Sequence, residues 1–387
     1  MSGTDEIHML DFVENGSVNI TKSQIKKLKK MFPETRNQIC DGIQNLVNSG
    51  LVKYPYKKNT MTLDGIKETF NKLKKSNHTT TNITFIVNRL IGQNIELVYE
   101  NEPHLIILPK DDYYVFGSLT DYFQEPVRVK CRRNDQTISS YEYWKKFAYK
   151  IVGVCYDIGS INIETLRKEL FTQHYEVGTF RLTIAKYIID KFKSKHILDP
   201  CAGWGDRLIA SLACEVDSYI GFDPNSKLFK GYNKICKTFN EKSNVKLICK
   251  PFENAESNLE KDKYDLVFTC PPYFDLEIYD EFDKKQSINK YPLLDSWINE
   301  FLFPMLKLSW DYLIIGGHMI VVINDCRSHY VKRMINYINN MLKGHYLGCI
   351  GYAKDTSIAT TDQKGTVIDE GLSFDSPQPI WIWRKLQ

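Results

Sequence analysis

The strongest constraint on the fold is a regular alternation of segments from residue 179 onward. Short apolar segments that predict strands alternate with longer segments whose apolar residues recur at helical spacing. The predicted strands are 196–200, 219–224, 246–251, 265–272, 318–325 and 379–386. Strands that alternate with helices form a parallel sheet covered by helices. The sequence therefore predicts an α/β fold with a doubly wound, mostly parallel sheet over 179–387, preceded by an N-terminal helical or α+β domain.

Glycines follow the first predicted strand. Residues 199–205 read Asp-Pro-Cys-Ala-Gly-Trp-Gly, and a helical segment comes next. Glycines between a strand and a helix let the backbone turn tightly and approach a ligand closely. The dinucleotide pattern G-x-G-x-x-G is incomplete, because Leu208 stands at its last position. The loop therefore need not hold a pyrophosphate.

Acidic and aromatic residues follow the next two predicted strands. Asp223 ends the second strand, 20 residues after Gly203. An acid at this distance on a neighbouring strand can accept hydrogen bonds from both ribose hydroxyls of a nucleoside. Phe252 and Glu253 follow the third strand, at positions suited to flanking an adenine ring. The combination predicts an adenosine-shaped pocket.

The fourth predicted strand ends in Cys-Pro-Pro-Tyr-Phe at 270–274. The two prolines lack N–H groups and stiffen the chain, which leaves carbonyl groups exposed at the carboxyl edge of the sheet. Tyr273 and Phe274 place flat aromatic faces beside those carbonyls. Open α/β sheets bind ligands at this edge, which predicts a substrate pocket beside the adenosine pocket.

Together these motifs resemble those of S-adenosylmethionine-dependent amino-methyltransferases, the DNA methylases that modify adenine N6 or cytosine N4. The wider runs PPYFDLEIY, QSINKYP and VVIND resemble phage and viral modification methylases in particular. The resemblance covers 179–387 and, more faintly, 119–144. It implies a Rossmann-like class I methyltransferase domain with S-adenosylmethionine as the cofactor.

The resemblance also implies a role for each matching residue. The residues implied to bind the cofactor are Phe180, Asp199, Gly203, Gly205, Asp223, Phe252 and Glu253. The residues implied to be catalytic are Cys270, Pro271, Pro272 and Tyr273, with Phe274 implied to contact the substrate. In these roles, the carbonyl at Cys270–Pro271 accepts hydrogen bonds from the target amine, and Tyr273 stacks on the base.

One departure from the family pattern affects the chemistry. An exocyclic amine is a poor nucleophile because its lone pair is delocalised into the ring, and acceptors that grip its hydrogens favour the pyramidal geometry needed for attack. Cys270 stands where the family has Asp, Asn or Ser, and a thiol is a weak acceptor. Three interpretations follow: the carbonyl suffices, the domain binds without turnover, or Cys270 is a nucleophile for methylation at a ring carbon. Cytosine C5 enzymes, however, place Pro before the Cys.

The N-terminal residues carry an uneven charge. Residues 21–80 contain 13 Lys/Arg against 4 Asp/Glu, although the net charge of the chain is only +4. This basic block predicts an anionic partner, with nucleic acid the first candidate; a solvated lysine-rich helix face is the alternative. The resemblance to DNA methylases implies DNA in preference to RNA. Helices are predicted at 21–31, 33–48, 62–75 and 79–92, followed by a hairpin at 95–108. Residues 1–110 are expected to form a basic helical domain, either a nucleic-acid-binding winged helix or a helical docking domain.

Residues 111–178 are rich in Tyr, Phe and Trp and contain a cluster of arginines. Aromatic rings interleaved with arginines suit stacking on bases and pairing with phosphates. Arg128, Arg132 and Arg133 are therefore expected to bind the nucleic-acid substrate, and the region to connect the domains and take part in target recognition. A packed aromatic core with the arginines outside is the alternative.

Composition excludes several classes of protein. Apolar residues make up 43% and charged residues 25% of the chain, as in ordinary globular proteins. No run approaches the roughly 18 apolar residues of a membrane span, and no secretory signal is visible. The ten cysteines form no C-x-x-C pair, so no metal site is expected, and scattered thiols favour a reducing, cytoplasmic location.

The sequence therefore predicts a methyltransferase that moves a methyl group from S-adenosylmethionine to adenine N6 or cytosine N4 in DNA. Two alternatives stay open: a catalytically silent subunit that binds S-adenosylmethionine or nucleic acid, and an RNA base methyltransferase. A partner subunit is compatible with each of them.

Overall fold

The computed structural model describes residues 8–31, 34–76, 105–107, 110–325, 328–353 and 378–387. These residues form two compact units. Unit 1 falls within Met1–Leu63 and Gln124–Gly178, and unit 2 within Asp64–Phe123 and Thr179–Gln387. The chain therefore enters each unit more than once along its length. The division into three segments at residues 110 and 178 stays a prediction.

Helices and strands occur in both units. In chain order, the helices are α1 (Lys22–Met31), α2 (Thr35–Asn48), α3 (Leu63–Lys75), α4 (Lys110–Arg128), α5 (Ser140–Ile158), α6 (Ile163–Gln173), α7 (Leu182–Phe192), α8 (Asp206–Ala213), α9 (Phe229–Phe239), α10 (Ser287–Lys290), α11 (Leu294–Ser296), α12 (Phe303–Tyr312) and α13 (Val331–Asn336). Short 3-10 segments are Met9–Phe12, Lys57–Thr60, Ser226–Leu228, Phe252–Asn254 and Glu256–Asn258, and π-helical segments are Trp297–Leu302 and Tyr337–Met341. The strands are β1 (Val13–Glu14), β2 (Ser17–Val18), β3 (Leu105–Ile107), β4 (His196–Asp199), β5 (Ser218–Phe222), β6 (Asn244–Ile248), β7 (Tyr264–Thr269), β8 (Leu313–Val322), β9 (His345–Ala353) and β10 (Gln378–Arg384). Among the described helices, none combines the length and the apolar character that crossing a membrane requires.

Unit 1 is mainly helical and is built around the packing of α2 on α5. Ile39 and Ile43 lie one helical turn apart on the buried face of α2. That face shares a core with Trp144 of α5. α5 begins at a capping box in which the Ser139 side chain and the Glu142 side chain each accept a backbone N–H of the other residue, which satisfies donors that the first turn leaves open.

Unit 2 is an eight-stranded sheet with the order β3-β9-β10-β8-β7-β4-β5-β6. β10 is antiparallel to both of its neighbours, and the other pairs are parallel. From β4 the chain moves outward through β5 and β6, and β7 and β8 then lie on the other side of β4. The strand order therefore reverses between β4 and β7, and α/β sheets bind ligands beyond the carboxyl ends of the strands at such a point. The predicted α/β, doubly wound fold is confirmed.

The hairpin predicted at 95–108 lies outside the described residues except for 105–107. These three residues form β3, which pairs in parallel with β9 at the edge of the unit 2 sheet. Pairing with β9 satisfies backbone groups that an open edge would expose. The helix predicted at 79–92 also lies outside the described residues, so the winged helix stays a prediction.

Tryptophans fix the chain where β8 leaves the sheet. Trp381 and Trp383, on β10, are fully buried. Trp381 Nε1 donates a hydrogen bond to the carbonyl of Ile323 (2.9 Å), the residue directly after β8. The polar end of the indole is thereby satisfied inside the core, as a buried tryptophan requires.

Candidate active site

Asp199, at the end of β4, lies in the interior of unit 2. Its side chain is fully buried, and its carboxylate accepts hydrogen bonds from Arg207 Nε (2.8 Å) and from the Tyr219 hydroxyl (2.7 Å). The Arg207 guanidinium also donates to the carbonyl of Cys201. The buried charge of Asp199 is thus compensated, because a buried carboxylate needs a partner. These contacts order the loop after β4, and the implied contact of Asp199 with the cofactor stays a prediction.

The two glycines of this loop have left-handed conformations that other residues rarely adopt. φ is +57° at Gly203 and +87° at Gly205. A Cβ at Gly205 would lie 3.2 Å from the Ile235 side chain and 3.3 Å from the Tyr232 ring. The Gly203 N–H donates to Asp223 (3.0 Å), and its carbonyl accepts from the Tyr232 hydroxyl. The loop after β4 is therefore joined to the end of β5.

Asp223 is a half-buried residue just after β5. One carboxylate oxygen accepts from the Gly203 N–H, and the other accepts from the Asn225 N–H (2.8 Å). Burial raises the pKa of Asp223 to about 7, and the negative charge of Asp199 adds to the shift. Each oxygen keeps accepting capacity beyond these bonds. The ionised carboxylate can therefore also accept hydrogen bonds from hydroxyl groups of a ligand.

The two residues predicted to flank adenine have different environments. The Phe252 ring is buried and packs edge-on against Phe222, with 5.0 Å between the ring centroids, so it belongs to the core. Glu253 Oε1 accepts hydrogen bonds from Lys290 Nζ (3.0 Å) and from the Tyr291 hydroxyl (3.2 Å). Its Oε2 is buried, and no described residue donates a hydrogen bond to it. Glu253 therefore offers an unused acceptor at the end of β6.

A buried donor lies at the end of β5. Asn225 is buried, and its Oδ1 accepts from the Lys227 N–H (3.1 Å). Its Nδ2 has no acceptor among the described residues. Buried polar groups are usually paired, so an unused donor and an unused acceptor at neighbouring strand ends are typical of a site for a polar ligand. Within the described ranges, no group of three or more His, Cys, Asp or Glu side chains could hold a metal ion.

Asp206 and Phe180 are joined at the start of α8. Asp206 accepts hydrogen bonds from the Thr120 hydroxyl (2.5 Å) and from the Phe180 N–H (3.1 Å). Burial raises the pKa of Asp206 to about 6. The Phe180 ring lies 5.9 Å from that of Phe268 on β7. The contacts hold Phe180 beside the central strands, and its implied contact with the cofactor stays a prediction.

The run after β7 brings Cys270 and Tyr273 together. Cys270 Sγ lies 3.9 Å from the Tyr273 hydroxyl. Burial raises the pKa of the Cys270 thiol to about 11, so the thiol is neutral at physiological pH. Because a nucleophilic cysteine reacts as the thiolate, this environment disfavours Cys270 as a nucleophile.

Phe274 anchors this run in the core. Its φ is +49°, a left-handed conformation that is strained for an aromatic residue. Its ring is buried and lies 5.7 Å from the ring of Trp297. The structure therefore places Phe274 among core side chains, whereas the neighbouring Tyr273 and Pro272 are half-buried and more accessible. Pro271 itself is buried.

Residues 275–291 are tied to the ends of β5 and β6. Asp280 accepts a hydrogen bond from Lys227 Nζ (2.5 Å), and Lys290 pairs with Glu253 (3.0 Å). These contacts were not predicted from the sequence. The run QSINKYP contains Lys290 and was noted in the sequence. It does not identify the partner of Lys290, because that contact depends on the fold.

The three arginines predicted to bind nucleic acid lie in unit 1. Arg128 is buried, and its Nη1 donates to Glu176 (3.0 Å) and to the carbonyl of Val177 (2.9 Å). Arg133 is exposed and lies over the Tyr175 ring at 5.3 Å, and Arg132 is half-buried. The structure thus places Arg128 in an interior ion pair and leaves Arg132 and Arg133 nearer the surface.

Comparisons with known proteins match this chain to solved structures only. No family model matches it, and no curated protein does. One matched structure is an rRNA methylase from Streptococcus thermophilus, with 11% identity, coverage of 55% of this chain and 99% of the other, and a TM-score of 0.35. A second is a SAM-dependent O-methyltransferase from Thermotoga maritima, with 9% identity, coverage of 57% of this chain and 71% of the other, and a TM-score of 0.35. A third is a SAM-dependent methyltransferase from Agrobacterium tumefaciens, with 13% identity, coverage of 55% of this chain and 64% of the other, and a TM-score of 0.36. These matches cover just over half of this chain.

Unit 2 has a Rossmann-like, doubly wound α/β fold. Its strand order reverses between β4 and β7, and the antiparallel β10 is inserted between β8 and β9.

Proposed function

We propose that this chain transfers a methyl group from S-adenosylmethionine to an exocyclic base amine, adenine N6 or cytosine N4, in DNA. The observation that carries the proposal is the meeting of three motifs at one edge of the unit 2 sheet. They follow β4, β5 and β7, and β4 lies between the other two. The hydrogen bond from Gly203 to Asp223 (3.0 Å) joins the first two motifs. The third follows β7, whose Val267 lies opposite Leu198 of β4.

The residues at this edge fit an adenosine-containing cofactor. Asp223 would accept hydrogen bonds from the ribose hydroxyls. Glu253 Oε2 and Asn225 Nδ2, buried and without partners among the described residues, match the amino group and the ring nitrogens of adenine. A Cβ at Gly203 would meet only the Cys201 carbonyl, at 3.8 Å, so the rest of the cofactor would lie directly against the backbone there, and Gly205 allows the tight turn of the loop beside it.

When bound, S-adenosylmethionine supplies the methyl group: a C–N bond forms as the C–S bond breaks, sulfur keeps the electron pair, and the amine releases one proton to solvent. The chain has to hold the amine hydrogens and the base ring. The carbonyl at Cys270–Pro271 serves as an acceptor, and the half-buried Tyr273 provides a face for the base. Stacking of about 1–3 kcal/mol per base offsets part of the cost of unstacking the base from its strand.

Unit 1 is the proposed contact with the rest of the nucleic acid. Its residues include much of the basic block at 21–80. The guanidinium of the exposed Arg133 lies over the ring of Tyr175. An arginine and an aromatic ring at the surface suit phosphate and base contacts, respectively. The resemblance of the motifs to DNA methylases favours DNA over RNA.

The test is methyl transfer from labelled S-adenosylmethionine to duplex DNA, single-stranded DNA and RNA, with the products digested to nucleosides and identified by mass. We expect N6-methyldeoxyadenosine or N4-methyldeoxycytidine. Asp223→Ala should weaken cofactor binding about 10- to 100-fold, the effect of losing a hydrogen bond to a charged group. Tyr273→Ala should remove turnover and keep cofactor binding. Asp217→Ala, at an exposed position in the same unit, is the matched control.

Each other outcome changes the proposal in a defined way. Methylated nucleosides from RNA alone would replace DNA by RNA as the substrate. Cofactor binding by calorimetry without transfer to any polymer would favour the silent subunit. Activity that survives both Asp223→Ala and Tyr273→Ala would show that the site is misassigned.

A further inference from the structure

We propose that Asn324 supplies the second hydrogen-bond acceptor for the target amine, at the place where Cys270 offers only a thiol. The inference rests on the proposed function. In the resembled family an Asp, Asn or Ser at the position of Cys270 provides that acceptor, and a neutral thiol is a weak one. A chain that turns over with Cys270 either relies on the carbonyl at Cys270–Pro271 alone or takes its second acceptor from another element.

Asn324 comes from the strand next to the one that carries Cys270. β7 and β8 are parallel neighbours, with Thr269 opposite Val321. Cys270 is the first residue after β7, and Asn324 is the second residue after β8. Both segments therefore leave the sheet side by side at its carboxyl edge, which is the edge that binds ligands in this fold.

The side chain of Asn324 carries a buried and unused acceptor. The residue is 8% exposed, and its Oδ1 receives no hydrogen bond from any described residue. A buried amide oxygen without a donor costs about 1–3 kcal/mol. A ligand N–H would remove that cost, and the amine of a base is such a donor.

The backbone of Asn324 is held by contacts that do not involve its side chain. The Tyr330 hydroxyl donates to the Asn324 carbonyl (2.7 Å), and the Tyr330 ring lies 5.2 Å from that of Trp297. The Trp297 ring also packs against the ring of Phe274, with 5.7 Å between the ring centroids, and Phe274 is the residue directly after Tyr273. Trp297 thus supports both the Asn324 segment and the run that holds Tyr273, and substitution of the Asn324 side chain leaves these contacts in place.

The neighbouring Asp325 is engaged elsewhere. Its Oδ1 accepts hydrogen bonds from the N–H groups of Tyr330 and Val331, each at 2.9 Å, at the start of α13. Its Oδ2 lies 3.6 Å from His329 Nδ1. Asp325 therefore caps α13, as a carboxylate at a helix start commonly does. The Asn324 side-chain oxygen, in contrast, accepts no hydrogen bond from any described residue.

An acceptor at this place would act on the transition state. As the amine nitrogen bonds to the methyl carbon, positive charge develops on the nitrogen and its N–H groups become stronger donors. A hydrogen bond to Asn324 Oδ1 would therefore strengthen during the reaction, which is the condition for raising kcat rather than only affinity. The amide stays neutral: it accepts a hydrogen bond, and the proton leaves to solvent.

The test compares variants of the full chain on the polymer that it methylates. Asn324→Leu removes the acceptor and keeps the number and branching of the side-chain heavy atoms, and it should lower kcat about 100-fold, as losing one preorganised hydrogen bond does. Asn324→Asp keeps an acceptor and should retain activity within about tenfold of the parent. Adding Cys270→Asn to Asn324→Leu restores an acceptor of the family type and should recover at least about tenfold in kcat. Asn336→Ala, at an exposed position in α13, is the matched control.

Two further measurements separate a catalytic role from a structural one. S-adenosylhomocysteine affinity by calorimetry should be the same for Asn324→Leu and for Asn336→Ala. The melting temperature of Asn324→Leu should equal or exceed that of Asn336→Ala, because the leucine removes an unpaired buried acceptor. A kcat of Asn324→Leu within threefold of the parent overturns the inference, and so does a loss accompanied by weaker S-adenosylhomocysteine binding or by a lower melting temperature. A parent chain that methylates no polymer refutes the proposed function and the inference with it, whereas an active parent with an active Asn324→Leu variant refutes the inference alone.

Discussion

Replacing Glu176 by glutamine should strongly destabilise unit 1. Glu176 accepts hydrogen bonds from Arg128 Nη1 (3.0 Å), Arg167 Nη2 (2.9 Å), the Tyr54 hydroxyl (2.9 Å) and the Ser140 hydroxyl (3.0 Å). Burial alone would raise the pKa of the Glu176 carboxyl. The hydrogen bond and charge of Arg167, with the charge of Arg128, outweigh burial and hold this pKa well below its usual range.

The magnitude follows from the burial of the pairs. The side chains of Glu176, Arg128 and Arg167 are 2%, 6% and 2% exposed, and removing one partner of a buried ion pair costs about 3–5 kcal/mol. The variant does not lose the sum of two pairs, because Arg167 keeps Glu125 (3.1 Å) and Arg128 keeps a backbone carbonyl. We expect Glu176→Gln to lower the free energy of unfolding of unit 1 by about 3–5 kcal/mol.

The assay uses a reporter inside unit 1. Of the six tryptophans in the sequence, only Trp144 falls within the residue ranges of unit 1, and it is buried. Fluorine NMR of the chain labelled with 5-fluorotryptophan, with its resonance assigned through Trp144→Phe, follows urea unfolding of this unit. Glu164→Gln, at an exposed position of α6, is the control and should cost less than about 1 kcal/mol.

The pH dependence has a defined sign. Because the folded-state pKa of Glu176 is lowered, its contribution to stability is present above the unfolded-state value near 4.5 and is lost as the pH falls below it. The stability difference between the parent and Glu176→Gln should therefore shrink below about pH 4.5. Equal unfolding midpoints for Glu176→Gln and Glu164→Gln at pH 7 would refute the reasoning.

Three other expectations follow from the structure. Because burial raises the pKa of Asp223 to about 7, cofactor affinity measured by calorimetry should increase as the pH rises from 6 to 8, and this pH dependence should be flat in Asp223→Asn. The same pH dependence in the parent and in Asp223→Asn would contradict the role of Asp223 in cofactor binding. Gly205→Ala, at a φ of +87° with Ile235 and Tyr232 in the way, should lower stability by about 1–3 kcal/mol, whereas Gly117→Ala, with nothing within 4 Å, should not. Arg132→Ala and Arg133→Ala should each reduce the salt slope of nucleic-acid binding by about 1, and unchanged slopes would exclude phosphate contacts.

Much of the fold of unit 2 could be predicted from local pattern. Apolar segments of strand length alternate with amphipathic helical segments, and burying both kinds of surface leaves few solutions besides a parallel sheet covered by helices. The glycines at 203 and 205 and the acid at 223 could also be located, because a tight turn and a strand end have local signatures. The strand order and the antiparallel β10 were not part of that prediction, since pairing depends on distant segments.

The sequence by itself determined which residue types stand at the strand ends, and only the tertiary structure decided what each of them contacts. Arg128 was expected to bind the nucleic-acid substrate, and in the structure it is buried against Glu176. Phe274 was implied to contact the substrate, and in the structure its ring packs near that of Trp297; both substrate roles stay predictions. Asn324 lies in the run VVIND, but that run by itself assigned it no role, and its significance comes from its position beside β7, more than fifty residues away in the chain. The physical reason is that burial and hydrogen bonding depend on which segments meet after folding, whereas local propensity and periodicity depend only on neighbours in the chain.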